Sequence, residues 1–201
     1  MLFLGLANPL QFLYFVIGLL AAITVHEAAH AYVAYKLGDS TAKEAGRVSI
    51  NPFVHLDPLG TIFLFLAGFG WGKPVPVDPR NLSNPKLDEL KIALAGPLSN
   101  FILMALILIF VRFFNPSEDL FTALIIIAQI NIILMVFNLI PIPPLDGGNI
   151  LKIILPDESF EAIQRLGVPL LFAFIIFSRT TNFLSTLFES VSKFFFNLFL
   201  Q

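Results

Sequence analysis

The sequence contains no cysteine and few charged residues for its length. Of its 201 residues, 13% are charged, whereas roughly 25% is typical of a soluble domain. Without cysteine the chain has no disulfide framework, no thiolate metal site and no thiol nucleophile. The low share of charged residues excludes a nucleic-acid-binding protein with a basic stripe. The 12 basic and 14 acidic residues nearly balance, so net charge says nothing about partners.

Hydrophobic residues, in contrast, make up 57% of the chain and include 23 phenylalanines. They are concentrated in runs of the length that a membrane span requires. We therefore predict an all-α polytopic membrane protein in the lipid bilayer, with about four spans at residues 10–37, 88–114, 120–140 and 166–177. The tail at residues 183–200 predicts an interfacial amphipathic helix or a fifth span.

The segment between the first two spans has a different character. Residues 60–71 are apolar but too few to cross a bilayer, so they predict a re-entrant or interfacial segment. The overlapping stretch at residues 68–77 is glycine-rich and prone to form a strand, which predicts a β-hairpin. An exposed strand edge could pair with an extended substrate. The candidate substrate contacts there are Gly68, Gly70 and Gly72.

Span one carries the sequence HEAAH, from His26 to His30. Histidines four residues apart lie on one face of a helix and can bind one zinc ion together. Glu27 can reach a metal-activated water and act as general base. Ionisable side chains inside a span cost roughly 2.5–3.5 kcal/mol each on insertion scales, so three within five positions indicate a functional site.

A hydrolytic zinc site requires a third protein ligand and one open position. Asp146 is an acidic residue in an apolar setting, after a proline-rich stretch that no continuous helix tolerates. Irregular backbone at membrane depth persists only where it lines a cavity or is buried in protein. We therefore predict Asp146 as the third ligand.

The order of these motifs resembles the site-2 protease family of intramembrane zinc metallopeptidases. HEAAH is followed by NPFVHLDPLG, WGKPVPV, LAGPLSN and NLIPIPPLDGG, over residues 26–148. The resemblance implies one Zn²⁺ held by His26, His30 and Asp146, water activation by Glu27, and transmembrane proteins or peptides as substrates. It also implies a minimal member, without a PDZ domain or a C-terminal regulatory domain.

Three further polar residues lie near these motifs. The resemblance places Asn138 near the reacting carbonyl, where its amide could donate to an oxyanion. Asn100 is predicted to help pack span two against span one, and we also include it among the candidate substrate contacts. His55 has no partner at helical spacing, so we expect it to form a hydrogen bond in its turn.

We expect a single intramembrane metalloprotease domain over residues 1–201, with a catalytic core at about 10–155 and C-terminal helices at 156–201. Seven of the 12 basic residues lie between spans one and two, which predicts that this loop is cytoplasmic. The active site would then face the cytoplasmic side of a bacterial or archaeal cell membrane.

Two other functions fit part of the pattern. A metal-ion transporter could use the same three ligands as transit sites, and a non-catalytic scaffold could capture membrane partners. A transporter has no need for Glu27, so replacing Glu27 by Gln should abolish proteolysis and spare transport. The complete ligand set argues against the scaffold.

Overall fold

The computed structural model describes residues 8–67 and 70–201, and helices form most of this part of the chain. In chain order they are α1 (Pro9–Lys36), α2 (Thr41–Glu44), α3 (Pro58–Ala67), α4 (Pro85–Phe114), α5 (Glu118–Asn138), α6 (Gly148–Ile154), α7 (Asp157–Arg165), α8 (Gly167–Thr181) and α9 (Phe183–Leu200). Four of them, α1, α4, α5 and α9, are long and apolar enough to cross a membrane. The prediction of an all-α polytopic membrane protein is confirmed.

Local sequence signals set the ends of the long helices. The Asn8 side chain accepts a hydrogen bond from the Gln11 N–H at 3.1 Å and caps α1, with Pro9 as the first helical residue. Asn84 and Pro85 begin α4 in the same way. That helix ends at Asn115, whose φ of 42° is a left-handed conformation that stops a helix.

The C-terminal helices differ in part from the prediction. The span expected at residues 166–177 corresponds to α8, which has 15 residues and is shorter than the about 20 needed to cross. It meets α7 at an angle of 62°, so these two helices could cross only as a bent pair. The tail, predicted as an interfacial helix or a fifth span, forms the 18-residue helix α9. This helix is long and apolar enough to cross a membrane.

A hydrophobic core cluster lies between α4 and α5. Met104 and Leu108 of α4 and Ile132 of α5 are fully buried there. Aromatic residues of α9 cover one side of this cluster, and Phe195 contacts Phe101 edge to face. The outer faces of the bundle are also apolar, as expected for surfaces in contact with lipid.

The segment between α1 and α4 folds back along the first span. Its residues Ile50 and Pro52 line a shallow groove together with Leu20 and Thr24, which lie near the middle of α1. Helix α3 follows and is too short to cross, in line with the predicted re-entrant segment. In the described part of the chain, β pairing is limited to one antiparallel bridge between Leu56 and Gly72, so the predicted hairpin has no regular strand pair.

The buried carboxylate of Asp39 joins the C-terminal end of α1 to the loop before α4. Asp39 accepts hydrogen bonds from the Thr41 hydroxyl at 2.5 Å, the Asp78 N–H at 2.8 Å and the Asn81 amide at 2.9 Å. Burial raises the pKa of Asp39, but these hydrogen bonds outweigh it, and the net pKa is lowered. The charged form of Asp39 therefore contributes to the stability of this junction.

Candidate metal centre

Three side chains from two distant parts of the chain meet beside α4. His26 and His30 lie one turn apart on α1, and Asp146 lies in the turn between α5 and α6. The Asp146 Oδ2 atom is 3.0 Å from His26 Nε2 and 3.4 Å from His30 Nε2. Both imidazoles are buried. These are the side chains that the sequence predicts as metal ligands, and the fold brings them together.

The hydrogen bonds of the two rings define which nitrogens face Asp146. His26 Nδ1 lies 2.7 Å from Asn100 Oδ1, and His30 Nδ1 lies 2.6 Å from the Ile92 carbonyl oxygen. Both partners are acceptors, so each Nδ1 donates its proton and each neutral ring presents a lone pair at Nε2. The Asp146 Oδ2 atom is itself buried and has no hydrogen-bond donor.

With both rings neutral, three lone-pair atoms converge with no proton between them. Such an arrangement is repulsive unless a cation lies in the middle. Tetrahedral zinc with bonds of about 2.0–2.1 Å separates its ligand atoms by about 3.3 Å, which is close to the 3.0 and 3.4 Å found here. The donor set of two imidazoles and one carboxylate fits zinc.

Gly96 of α4 makes room for the two rings. A Cβ atom at this position would lie 2.6 Å from His26 Nε2 and closer still to His30 Nε2. Ile92, Gly96 and Asn100 are each four residues apart, so they lie on one face of α4, towards the histidines. This face supplies one acceptor to each imidazole and leaves the metal position free.

Asn100 belongs to a buried chain of amides rather than to an open surface. Its Nδ2 donates to the Ala22 carbonyl at 3.0 Å and to Asn131 Oδ1 at 2.9 Å. The Asn131 amide in turn donates to the Ile127 carbonyl. Both asparagines are fully buried. Asn100 thus contacts α1 from α4, and it also orients His26, a candidate metal ligand.

The turn that carries Asp146 is fixed from both sides. The Gly147 N–H donates to the Asn138 carbonyl at 2.6 Å, and the Asn149 N–H donates to the Asp146 carbonyl at 3.0 Å. The Asn138 side chain donates to the Leu134 carbonyl of its own helix. An oxyanion role for Asn138 therefore requires a different rotamer from the one in this structure.

Glu27 lies next to the ligand cluster and is largely buried. Its Oε2 atom is 3.7 Å from Nη2 of Arg47. Its Oε1 atom borders Gly72, where a Cβ atom would be 3.2 Å away. The carboxylate of Glu27, the residue after His26, thus borders both Arg47 and the extended segment that includes Gly72.

The extended segment is attached to the turn at His55. The Lys73 N–H donates to the His55 carbonyl at 2.8 Å, and Gly72 pairs with Leu56. Gly70 approaches the backbone of Gly60 in α3, so the space beside it is taken by the protein's own chain. The third predicted glycine, Gly68, is outside the described residues.

His55 lies apart from the three metal-ligating side chains. It is fully buried, and its Nε2 lies 2.8 Å from the Ser49 carbonyl oxygen. Nε2 is therefore the protonated nitrogen, and the hydrogen bond expected in this turn is present.

The comparison with known proteins agrees with this geometry. Residues 116–178 match the model of peptidase family M50. The chain is 45% identical over 154 residues to YwhC of Bacillus subtilis (strain 168), an alignment that covers 71% of this chain and 69% of YwhC. The chain belongs to the site-2 protease family, peptidase family M50.

Other relatives of this site-2 protease are more distant. Rip2 of Mycobacterium tuberculosis is 30% identical over 158 residues, 76% of this chain and 61% of Rip2. MJ0392 of Methanocaldococcus jannaschii is 32% identical over 140 residues, 70% of this chain and 34% of MJ0392. YwhC and Rip2 are named as proposed zinc metalloproteases, and MJ0392 is named as a zinc metalloprotease. No solved structure matches.

The family and the apolar helices together make the chain a multi-pass membrane metalloprotease, and its relatives indicate zinc as the metal. Sequence reasoning missed the contact between Arg47 and Glu27. Arg47 lies in a polar loop, and an arginine in such a loop is expected to be exposed to solvent. No local sequence signal marks this contact, because it forms only when the loop folds back along α1.

Proposed function

We propose that this protein is an intramembrane zinc endopeptidase that hydrolyses peptide bonds within or near the transmembrane segments of membrane proteins. The observation that carries the proposal is the convergence of three candidate ligand atoms, from His26, His30 and Asp146, with Glu27 directly after His26 in the sequence. His26 lies ten residues from Lys36 at the end of α1, about 15 Å along the helix, which is half the thickness of a hydrocarbon core.

In the proposed mechanism, His26, His30 and Asp146 hold one zinc ion. When bound, zinc supplies Lewis acidity that polarises the scissile carbonyl and lowers the pKa of an attacking water. Glu27 accepts the proton of that water through a carboxylate oxygen and later delivers it to the leaving amine. Asn100 keeps the His26 ring in the tautomer that a metal requires. After a rotamer change, Asn138 donates to the developing oxyanion.

The extended segment around Gly72 is the proposed substrate platform. A substrate helix hides its carbonyl groups, so it must be unwound before hydrolysis. Main-chain pairing with an exposed edge holds a peptide extended. Gly72 borders Glu27 Oε1 without a side chain between them, which allows a substrate backbone to come close to the proposed base. Of the other residues predicted as substrate contacts, Gly70 and Asn100 are enclosed by the protein's own chain, and Gly68 lies outside the described residues.

The remaining expectations are part of the same proposal. The chain forms one metalloprotease domain with a core at about residues 10–155, and its site faces the cytoplasmic side of a prokaryotic cell membrane. Its partners are lipid and membrane-protein substrates, not nucleic acid. The basic residues between α1 and α4 support this orientation.

The test is co-expression with a panel of tagged single-span proteins whose apolar segments include helix-breaking residues. Wild type should release fragments whose masses place the cut within or near the apolar segment. Glu27→Gln should release none while retaining its zinc, because it removes the base and not a ligand. Glu118→Gln, at an exposed position on α5, is the matched control and should cleave normally.

Two results would overturn the proposal. One is cleavage by Glu27→Gln at the wild-type rate. The other is a zinc-loaded wild type that leaves the whole panel intact but moves zinc across proteoliposome membranes, which would favour the transporter.

A further inference from the structure

Arg47 places a buried guanidinium beside the proposed base. The residue is only 3% exposed, although arginine is rarely buried. A buried cation is costly unless it is paired and hydrogen-bonded. Replacement by an apolar residue would often stabilise such a site, so an arginine here requires an explanation beyond folding.

The guanidinium joins two parts of the candidate active site. Nη1 donates to the Pro74 carbonyl at 2.8 Å, and Nη2 donates to the Lys73 carbonyl at 2.5 Å. Nη2 also lies 3.7 Å from Glu27 Oε2, which is an ion-pair distance rather than a hydrogen bond. The planar fork of arginine fixes the angles between its partners, which the point charge of lysine does not.

The two oxygens of Glu27 thereby have different surroundings. Oε2 faces the cation, whereas Oε1 borders Gly72 on the extended segment. Arginine keeps its charge at every relevant pH, so it neither gives nor takes the proton that Glu27 transfers. Its action on the reaction is therefore geometric and electrostatic.

We propose that Arg47 is a positioning residue: its guanidinium fixes the Glu27 carboxylate relative to the extended segment Gly72–Pro74, and so aligns the base with a substrate held there. This role rests on the proposed function. A purely structural role would hold the segment through the carbonyls of Lys73 and Pro74 and would leave Glu27 uninvolved.

The first experiment measures this coupling without substrate. The Lys73 amide, bonded to the His55 carbonyl, reports on the segment by hydrogen exchange in the full-length, zinc-loaded protein. Arg47→Gln should speed its exchange about tenfold, the effect of losing roughly one hydrogen bond. Glu27→Gln should speed it less, and should add nothing in the Arg47→Gln background. Additive effects of the two substitutions would overturn the proposal.

The second experiment measures kcat and KM on a tagged single-span protein that wild type cleaves. Arg47→Lys keeps the charge but loses the fork, so kcat should fall about 10²-fold, the cost of a misplaced group, with KM and zinc content unchanged. Arg80→Gln is the control, because the Arg80 side chain is 87% exposed. If Arg47→Gln does not fold, Arg47→Lys decides.

An unchanged kcat in Arg47→Lys, or a change in KM alone, would overturn the positioning role. Arg47 would then only hold the loop in place. The two proposals can fail separately. A wild type that forms no product counts against the proposed function, whereas independent exchange effects of Arg47 and Glu27 count against the positioning role.

Discussion

Asn100 on α4 accepts the Nδ1 proton of His26 on α1 across 2.7 Å. The two residues are 74 positions apart in the chain, and both are buried. The contact fixes the His26 tautomer, because the Asn100 amide nitrogen is already committed to Ala22 and Asn131. A single asparagine thus links the packing of two spans to the chemistry of the metal site.

Asn100→Leu should weaken zinc binding about 10–100-fold, the usual effect of losing the partner of a ligating histidine. The measurement is zinc competition against a chromophoric chelator in detergent. Asn197→Leu changes an exposed asparagine on α9 and should bind zinc like wild type. Wild-type affinity in Asn100→Leu would contradict the role of this hydrogen bond.

Gly96→Ala should abolish zinc binding. The new methyl group would lie 2.6 Å from His26 Nε2, so one imidazole must leave its position. Metal analysis of the purified protein measures the loss, and circular dichroism checks that the helices remain. Leu98→Ala, on the exposed face of the same helix, should retain a full zinc ion. A Gly96→Ala protein that still binds one zinc ion would show that the two imidazole rings can rearrange around the methyl group.

Removal of zinc should lower the Tm of wild type, because the converging lone pairs then lack a cation. Asp146→Ala removes one of the three lone-pair atoms. The Tm of this variant without zinc should therefore equal or exceed the Tm of zinc-free wild type. Added zinc should not raise the Tm of Asp146→Ala. Thermal melts with and without a chelator test this, and Asp119→Ala, exposed on α5, is the control. A zinc-dependent gain in Asp146→Ala would contradict Asp146 as a ligand.

Asp39 should make stability depend on pH in the acid range. Its pKa is lowered in the folded protein, so its charged form adds stability above the unfolded pKa of about 3.9. This contribution is lost as pH falls through the folded pKa. Asp39→Asn should cost about 1–2 kcal/mol at pH 7, with the difference shrinking as pH falls below the unfolded pKa and through the lower folded pKa. Thermal melts across this range measure it, and a constant difference would refute the assignment.

The orientation can be tested with single cysteines in this cysteine-free chain. Ser83 lies in the basic segment before α4, and Ser117 lies at the start of α5; both are exposed. An impermeant thiol reagent applied to intact cells should label Ser117→Cys and leave Ser83→Cys unlabelled. The opposite pattern would place the active site towards the outside.

The sequence predicts much of the site because membrane burial makes polar residues informative. His26, Glu27 and His30 stand out in an apolar helix, and Asp146 stands out after helix-breaking prolines. The spans α1, α4 and α5 follow from length and hydrophobicity alone.

The rest depends on contacts between segments that no local pattern encodes. Arg47 reaches Glu27 because the chain folds back along α1, and its polar neighbours give no sign of that. For α8 and α9, hydropathy is similar, so only length and the bend beside α7 separate them.

The ligands of the metal centre are synthesised at different times. His26 and His30 enter the membrane with the first helix, whereas Asp146 follows only after α4 and α5 have been made. A growing chain on the ribosome therefore carries an incomplete donor set. The candidate metal site becomes complete only once α1, α4 and α5 have all been made and the turn after α5 has followed them.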